Sequence, residues 1–160
     1  MGQRSTHKLE DWQITLCEEI DKPRKFQWGV SDCVCYAVDV VSKYTNKDFG
    51  IKHIGMFNNP INAYKYGIKY FKEHNISYKP KDTLNNYIIN FWDYHFPRVH
   101  INFAQRGDVV GTLKLNYLEA TSNETNLTVG ILIGDDARFV TNKGYLDLPR
   151  VDCQIAWKVG

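Results

Sequence analysis

The sequence predicts an α+β fold, in which helices come first along the chain and an antiparallel sheet follows. Apolar residues recur at helical spacing in the part of the chain before Pro97. After Gly107 and Asp108 the pattern changes to short β-type runs, separated by Asn, Asp and Gly turns. Helices and strands that are segregated along a chain are typical of the α+β class. Residues 1–160 contain no internal repeat and no interdomain linker, so we expect a single domain.

Four helices account for the first part of the chain. We predict the first helix over residues 8–22, where apolar side chains recur at helical spacing: Leu9, Trp12, Leu16 and Ile20. Pro23 marks the end of this helix. The second starts at Asp32, with Ser31 or Asp32 as its N-cap, and carries one long apolar stripe: Cys33, Tyr36, Ala37, Val40, Val41 and Tyr44. The third runs from residues 58–60 to about residue 74, and the fourth covers residues 83–94. We expect the second helix to lie in the core.

Five short strands complete the predicted fold. Asn, Asp and Gly turns separate them, and they cover residues 109–115, 128–133, 138–141, 145–148 and 155–159. We expect these strands to form one antiparallel sheet.

Composition argues against two classes of protein. Hydrophobic residues make up 43% of the chain and charged residues 24%, as in soluble globular proteins, and no apolar run approaches the length of a membrane span. A net charge of +2 is too small to indicate nucleic-acid binding by itself. We therefore expect a globular protein that is not a membrane protein.

The chain has four cysteines: Cys17, Cys33, Cys35 and Cys153. We expect them to be reduced, because the chain start lacks the apolar segment of a secretory signal. The spacing of Cys33 and Cys35 is not that of a zinc knuckle, and we expect no metal and no cofactor. Two interpretations of the cysteines stay open. They are either small apolar residues of the core, or ligands of a metal site that draws on Cys17 and Cys153.

Cys33 is the candidate nucleophile. It falls in the first turn of the second helix, where unpaired backbone N–H groups and the positive end of the helix dipole stabilise a thiolate. The same residue lies on the apolar stripe of that helix, so a buried and inert cysteine is the alternative interpretation.

Several motifs resemble those of the NlpC-type papain-like cysteine peptidases. Residues 32–39 (DCVCYAVD) are similar to the helix that carries that family's nucleophile, and residues 106–110 (RGDVV) to its Gly-Asp-apolar strand. Residues 128–134 (TVGILIG) resemble a strand that in the family reads His-Val-Gly-Ile. The chain looks closer still to a small NlpC-like subgroup found in phages and prophages. That subgroup shares the opening at residues 26–33 (FQWGVSDC) and the ending at residues 155–159 (IAWKV).

The resemblance implies a papain-like (NlpC-type) fold, with N-terminal helices packed on the C-terminal sheet, and hydrolysis of peptidoglycan if the site is active. In the active family a histidine on the strand takes the thiol proton, and a polar residue on the next strand orients it. The resemblance places Thr128 at the histidine position and Thr141 at the orienting position. A threonine hydroxyl is not a useful base near neutral pH, so we expect the catalytic site to be degenerate.

Another histidine could replace the missing base. His95 and His100 lie just before the strand that Gly107 opens, whereas His53 and His74 border the third helix. We retain His100 as the candidate base, with a surface or capping role as its alternative.

Two groups of side chains suggest contact surfaces. Five lysines lie on and after the third helix: Lys65, Lys69, Lys72, Lys79 and Lys81. They either bind a polyanion or form a solvated helix face. Residues 91–96 (FWDYHF) form the densest aromatic stretch, which either contacts carbohydrate or protein or belongs to the core.

The leading hypothesis is a virion protein of a phage, in the tail or among the internal proteins, that keeps an NlpC-like fold and has lost catalysis. We expect it to be made in the host cytoplasm, to reside in the virion and to contact other virion proteins, without nucleic acid or membrane. The alternative is a peptidoglycan amidase or endopeptidase, with Cys33 as nucleophile and His100 or His95 as base. A nucleic-acid-binding packaging factor is a third hypothesis, which depends on the lysines alone.

Overall fold

The computed structural model describes six stretches of the chain: residues 8–25, 32–45, 60–79, 83–115, 127–141 and 143–160. Within these stretches, four α-helices precede a five-stranded sheet, and each strand runs antiparallel to its neighbours. The predicted α+β class is therefore confirmed. Residues 26–31, which include the candidate cap Ser31, lie outside the described residues, as do His53 and Lys81.

The helices lie close to their predicted positions: α1 (Trp12–Asp21), α2 (Cys33–Thr45), α3 (Pro60–Glu73) and α4 (Leu84–His95). α1 ends before Pro23 as predicted, and Lys22 is extended with ψ of 127°, the conformation that a following proline favours. Thr83 caps α4, because its hydroxyl oxygen accepts a hydrogen bond from the Asn86 backbone N–H at 3.2 Å. None of the described helices has the length and apolar character needed to span a membrane.

The strands are β1 (Val109–Thr112), β2 (Thr128–Leu132), β3 (Asp136–Thr141), β4 (Gly144–Pro149) and β5 (Ile155–Trp157). Their order across the sheet is β4-β3-β2-β1-β5, so the last strand returns to pair with the first. Two short 3₁₀ helices, Ile101–Phe103 and Arg150–Asp152, contact each other beside this sheet.

The two faces of the sheet are covered by different parts of the chain. On the helix face, buried residues of α1, α2 and α4 pack against alternate strand residues: Val109, Val129, Ile131, Val140 and Trp157. On the other face, which we call the 3₁₀ face, the remaining strand residues pack with segments around the two 3₁₀ helices: Val110, Leu132, Ala137, Phe139 and Ala156. In the described part of the chain, α2 lies on the helix face against β2 and β3.

Contacts at both ends of α2 determine its direction across the sheet. Near its C-terminus, the Tyr44 hydroxyl donates a hydrogen bond to the Gly107 carbonyl, just before β1. Gly107 has φ of +95°, a backbone conformation that favours glycine, and a Cβ there would also press on the Trp12 ring of α1 at 3.1 Å. Near the N-terminus of α2, the Tyr36 and Tyr145 rings lie 5.9 Å apart. The first turn of α2 therefore lies toward the end of the sheet where β2 and β4 begin.

Candidate thiol site

The first turn of α2 presents Cys33 as its first helical residue and Asp32 as its N-cap. Asp32 Oδ1 accepts a hydrogen bond from the Cys35 backbone N–H at 2.9 Å, and the Asp32 carbonyl accepts one from the Tyr36 N–H at 2.8 Å. Of the two residues predicted as cap, Asp32 therefore makes the capping bond in the described chain. Its carboxylate satisfies an N–H group that would otherwise be available to a ligand at this helix end.

Both thiols in this turn are buried. Cys33 is 9% exposed and Cys35 is 6% exposed, and Cys33 belongs to the buried cluster of the helix face. Burial raises the pKa of the Cys35 thiol, and the nearby Asp32 carboxylate raises that pKa further. The environment of this turn thus opposes a thiolate at Cys35 and restricts access to Cys33.

The strand beneath α2 presents aliphatic side chains to that helix. Val129 and Ile131 face α2 and share its buried cluster. Because successive strand residues point to opposite faces, Thr128 points to the 3₁₀ face. Gly130 agrees with this alternation, since a Cβ there would lie 2.6 Å from the Phe139 ring, on the 3₁₀ face. The structure therefore places Thr128, which the resemblance predicts to stand at a histidine position, on the side of the sheet opposite α2.

The hydroxyl of Thr141 is engaged in the turn between β3 and β4. It donates a hydrogen bond to the Gly144 carbonyl at 2.8 Å and accepts one from the Lys143 N–H at 3.1 Å. Thr112, which lies opposite Thr128 in the sheet, donates to the Asp152 carbonyl at 2.7 Å. The hydrogen bonds of Thr112 and Thr141 stabilise a strand end and a turn, and they do not point these groups toward Cys33.

His100 caps the first 3₁₀ helix. Its Nδ1 accepts a hydrogen bond from the Asn102 N–H at 3.1 Å, and its ring centroid lies 6.0 Å from that of Phe103. The residues on either side of it, Val99 and Ile101, pack on the 3₁₀ face. Since α2 packs on the helix face, the structure does not bring His100 and Cys33 together.

His74 and His95 belong to an aromatic cluster between α3 and α4. His95 Nε2 lies 2.9 Å from the Tyr70 hydroxyl oxygen, and the His74 ring stacks on the Tyr70 ring at 4.1 Å. Within the predicted aromatic stretch, Trp92 and Phe96 are buried in the core, whereas the side chains between them are half-buried. This stretch is therefore buried at two of its six positions and partly accessible at the other four.

The remaining cysteines are widely separated by the fold. Cys17 is an exposed thiol on α1, and the Arg106 guanidinium donates to its Sγ at 3.1 Å. Cys153 is buried on the 3₁₀ face, where burial raises its pKa to about 11. The structure does not bring this pair together. Among the described residues, no group of three or more His, Cys, Asp and Glu side chains is arranged to hold a metal ion.

A partly buried cluster of polar side chains lies one turn along α2 from Cys33. The sequence patterns did not predict it. Arg24 forms ion pairs with Asp39 at 2.8 Å and Glu19 at 3.1 Å, and its guanidinium lies 5.2 Å from the Tyr36 ring centroid. Together with Tyr145, these residues form what we call the Tyr36 cluster. Tyr36 and Asp39 are three residues apart on one helix, a spacing that signals part of it. Arg24 lies in a connection that no periodicity marks.

One of three comparisons with known proteins found a match. A family model described as a domain of unknown function, DUF6950, matches residues 7–159. No curated protein and no solved structure matches the chain. The family match spans all of the helices and strands given above.

Proposed function

Since the chain belongs to the DUF6950 family, a family of unknown function, we propose that it is a structural protein of a phage particle, in the tail or among the internal proteins. In this proposal it uses an NlpC-like scaffold whose thiol site performs no chemistry. Such a separation is physically reasonable because activity resides in a site and not in a fold.

The observation that carries this proposal is the aliphatic surface beneath the first turns of α2. In the NlpC-type peptidases that the sequence resembles, the base that takes the thiol proton stands on the strand that corresponds to β2. Here the β2 side chains that face α2 are Val129 and Ile131, and Thr128 points away from it. The 9% exposure of Cys33 adds a second obstacle, because a substrate carbonyl must reach the sulfur.

Exposed apolar side chains on the 3₁₀ helices support a role in protein contacts. Phe103 is 75% exposed and Val151 is 77% exposed, and the two 3₁₀ helices that carry them contact each other. Large apolar side chains grouped on a surface are typical of interaction sites. The assignment to a phage rests on the sequence resemblance at residues 26–33 and 155–159.

A comparison of two buried cysteines tests the proposal in the phage that encodes the protein. Cys33→Ala should leave particle assembly and infectivity unchanged, because the thiol performs no reaction. Cys153→Ala is the matched control, since it removes a buried thiol from the opposite face of the sheet. A defect in wall penetration with Cys33→Ala, but not with Cys153→Ala, would overturn the proposal.

One observation favours a peptidoglycan hydrolase as the second candidate. Cys33 occupies the first position of α2, where a helix dipole stabilises a thiolate. Purified protein incubated with host sacculi would then release muropeptides. Release that Cys33→Ala abolishes and Cys153→Ala retains would establish the hydrolase and exclude an inert scaffold.

A further inference from the structure

The two edges of the sheet differ in how the chain covers them. At the β5 edge, the Val99 N–H donates to the Ala156 carbonyl at 3.1 Å. The Lys158 N–H donates to the Pro97 carbonyl at 2.9 Å, so residues 97–99 cover this edge. β4 forms the other edge, where no described segment pairs with its outer side, and none of its six residues is buried. An exposed strand edge is a template for a further strand.

A hydrogen bond at the end of β4 shows which backbone groups point outward. The Arg150 N–H donates to the Asp135 carbonyl at 2.8 Å, and this pair directly continues the register of β3 and β4. Hydrogen-bonded and non-hydrogen-bonded pairs alternate along an antiparallel ladder. Tyr145 and Asp147 therefore direct their N–H and C=O groups away from β3. Pro149 occupies the next outward position, where its missing N–H removes no bond to β3.

The outward groups of β4 are complementary to those of a second copy of the chain. When two β4 strands pair antiparallel about a twofold axis at Leu146, Tyr145 of each copy lies opposite Asp147 of the other. Each of these two pairs then exchanges two N–H···O=C hydrogen bonds. Every outward N–H and C=O group of Tyr145 and Asp147 is thus paired.

Other positions of the axis satisfy fewer of these groups. An axis nearer to the end of β4 would set Pro149, which has no N–H, opposite Tyr145 or Asp147. An axis at Tyr145 would require the Lys143 N–H, which already donates to Thr141 Oγ1 at 3.1 Å. The axis at Leu146 is therefore the favoured one.

The side chains of β4 fit the same arrangement. Leu146 lies on the 3₁₀ face, because its β3 partner Phe139 belongs to the cluster on that face. It is 40% exposed in the single chain, and on the axis it would meet Leu146 of the other copy. Asp147 would otherwise oppose edge pairing, but the Arg138 guanidinium donates to both of its oxygens at 2.9 Å and compensates its charge.

We propose that the chain forms a twofold dimer through antiparallel pairing of β4 with β4 of a second copy. The two sheets then join into one continuous sheet of ten strands. This dimer does not depend on the proposed role in a phage particle or on the thiol site.

Analytical ultracentrifugation of the full chain over a range of concentrations tests the dimer. The natural chain should pass from one to two chains per particle as concentration rises, whereas a natural chain that stays monomeric would overturn the proposal. Leu146→Lys should stay monomeric, because two ammonium groups would meet on the axis. Phe103→Lys is the matched control, since Phe103 is 75% exposed but lies outside β4, and it should dimerise like the natural chain. A dimeric Leu146→Lys or a monomeric Phe103→Lys would overturn the proposal.

A charge swap tests the position of the axis. Because Leu146 faces itself across the axis, an equimolar mixture of Leu146→Lys and Leu146→Glu should form a dimer, although each variant alone is monomeric. Circular dichroism checks that both variants are folded. A mixture that remains monomeric would contradict the pairing about Leu146.

Amide hydrogen exchange of the natural chain, followed by NMR, tests the same pairing without any substitution. The Tyr145 and Asp147 N–H groups should exchange slowly in concentrated samples and fast in dilute ones. The Leu146 and Leu148 N–H groups are the internal control, because they are bonded to β3 in both states. Slow exchange of Tyr145 and Asp147 at every concentration would show that the chain covers this edge itself, and fast exchange at every concentration would show that β4 stays unpaired. Either result would overturn the proposal.

Discussion

The Asp32 carboxylate accepts a hydrogen bond from the Cys35 backbone N–H at 2.9 Å, which closes the first turn of α2. A helix N-terminus activates a cysteine through free N–H groups and a positive potential. In this protein the carboxylate satisfies one of those groups and raises the pKa of the Cys35 thiol in addition to the effect of burial. The Asp-Cys pair that suggests a nucleophile in the sequence is thus also a helix cap.

Removal of this cap should destabilise the protein. Asp32→Ala should lower the free energy of unfolding by about 1 kcal/mol, because the Cys35 N–H loses its acceptor. Asp32→Asn keeps a side-chain oxygen in the same place and serves as the control. Urea denaturation followed by far-UV circular dichroism measures both. Equal losses in the two variants would show that the charge of Asp32, and not its capping bond, stabilises α2.

The four thiols should react with iodoacetamide in an order set by exposure and pKa. We expect Cys17 to be alkylated first, because it is exposed, and Cys35 and Cys153 last, because burial raises the pKa of both. With a pKa of about 11, Cys153 carries only about one thiolate in a thousand thiols at pH 8. Its rate in the folded protein should therefore rise about tenfold from pH 8 to pH 9. Peptide mapping by mass spectrometry gives the order, and alkylation of Cys33 ahead of Cys17 would favour the hydrolase.

Gly130 should tolerate no side chain. A Cβ at this position would lie 2.5 Å from the Arg138 carbonyl oxygen and 2.6 Å from the Phe139 ring, so β2 and β3 would have to move apart. Gly130→Ala should therefore lower the free energy of unfolding by about 1–3 kcal/mol. Gly67→Ala is the control, since a Cβ there meets nothing within 4 Å on α3, and alanine should raise stability by up to about 1 kcal/mol. A stable Gly130→Ala protein would show that the sheet is less tightly packed than described.

Asp108 should make the free energy of unfolding of the protein depend on pH. It is 2% exposed, and its oxygens accept hydrogen bonds from the Gln105 and Val159 N–H groups at 2.8 and 3.0 Å. Burial raises its pKa above the ordinary value of 3.8, against the opposing effect of those bonds. The folded state therefore holds this proton more tightly than the unfolded state does. The contribution of Asp108 to stability should be full below pH 3.8 and should fall as pH rises through the raised pKa.

Asp108→Asn removes the titratable group at this position. A comparison with the natural chain therefore isolates the pH dependence that is due to Asp108. Asparagine has one acceptor oxygen for two N–H donors, so the variant should be less stable by about 1–3 kcal/mol. Its deficit relative to the natural chain should be largest in acid and should shrink as pH rises. Urea denaturation from pH 4 to pH 8 tests this trend. A deficit that stays constant or grows with pH would contradict the assignment of a raised pKa to Asp108.

Much of the secondary structure follows from local patterns in the chain. Helical spacing of apolar residues predicts α2, and Pro23 correctly predicts the end of α1. The predicted strands also appear, although β1 stops at Thr112 where the pattern continues to Leu115. Such features are local because spacing, caps and turns depend on residues only a few positions apart.

The tertiary structure alone decided which of these elements meet, and therefore what surrounds Cys33. The resemblance places a threonine where a base is expected, but only the packing of alternate β2 residues shows that Thr128 points away from α2. The contacts of Arg24 with Tyr36 and Asp39 likewise depend on how the segment after α1 packs on α2. The physical reason is that side-chain chemistry acts over a few ångströms, whereas its partners are separated by many residues along the chain.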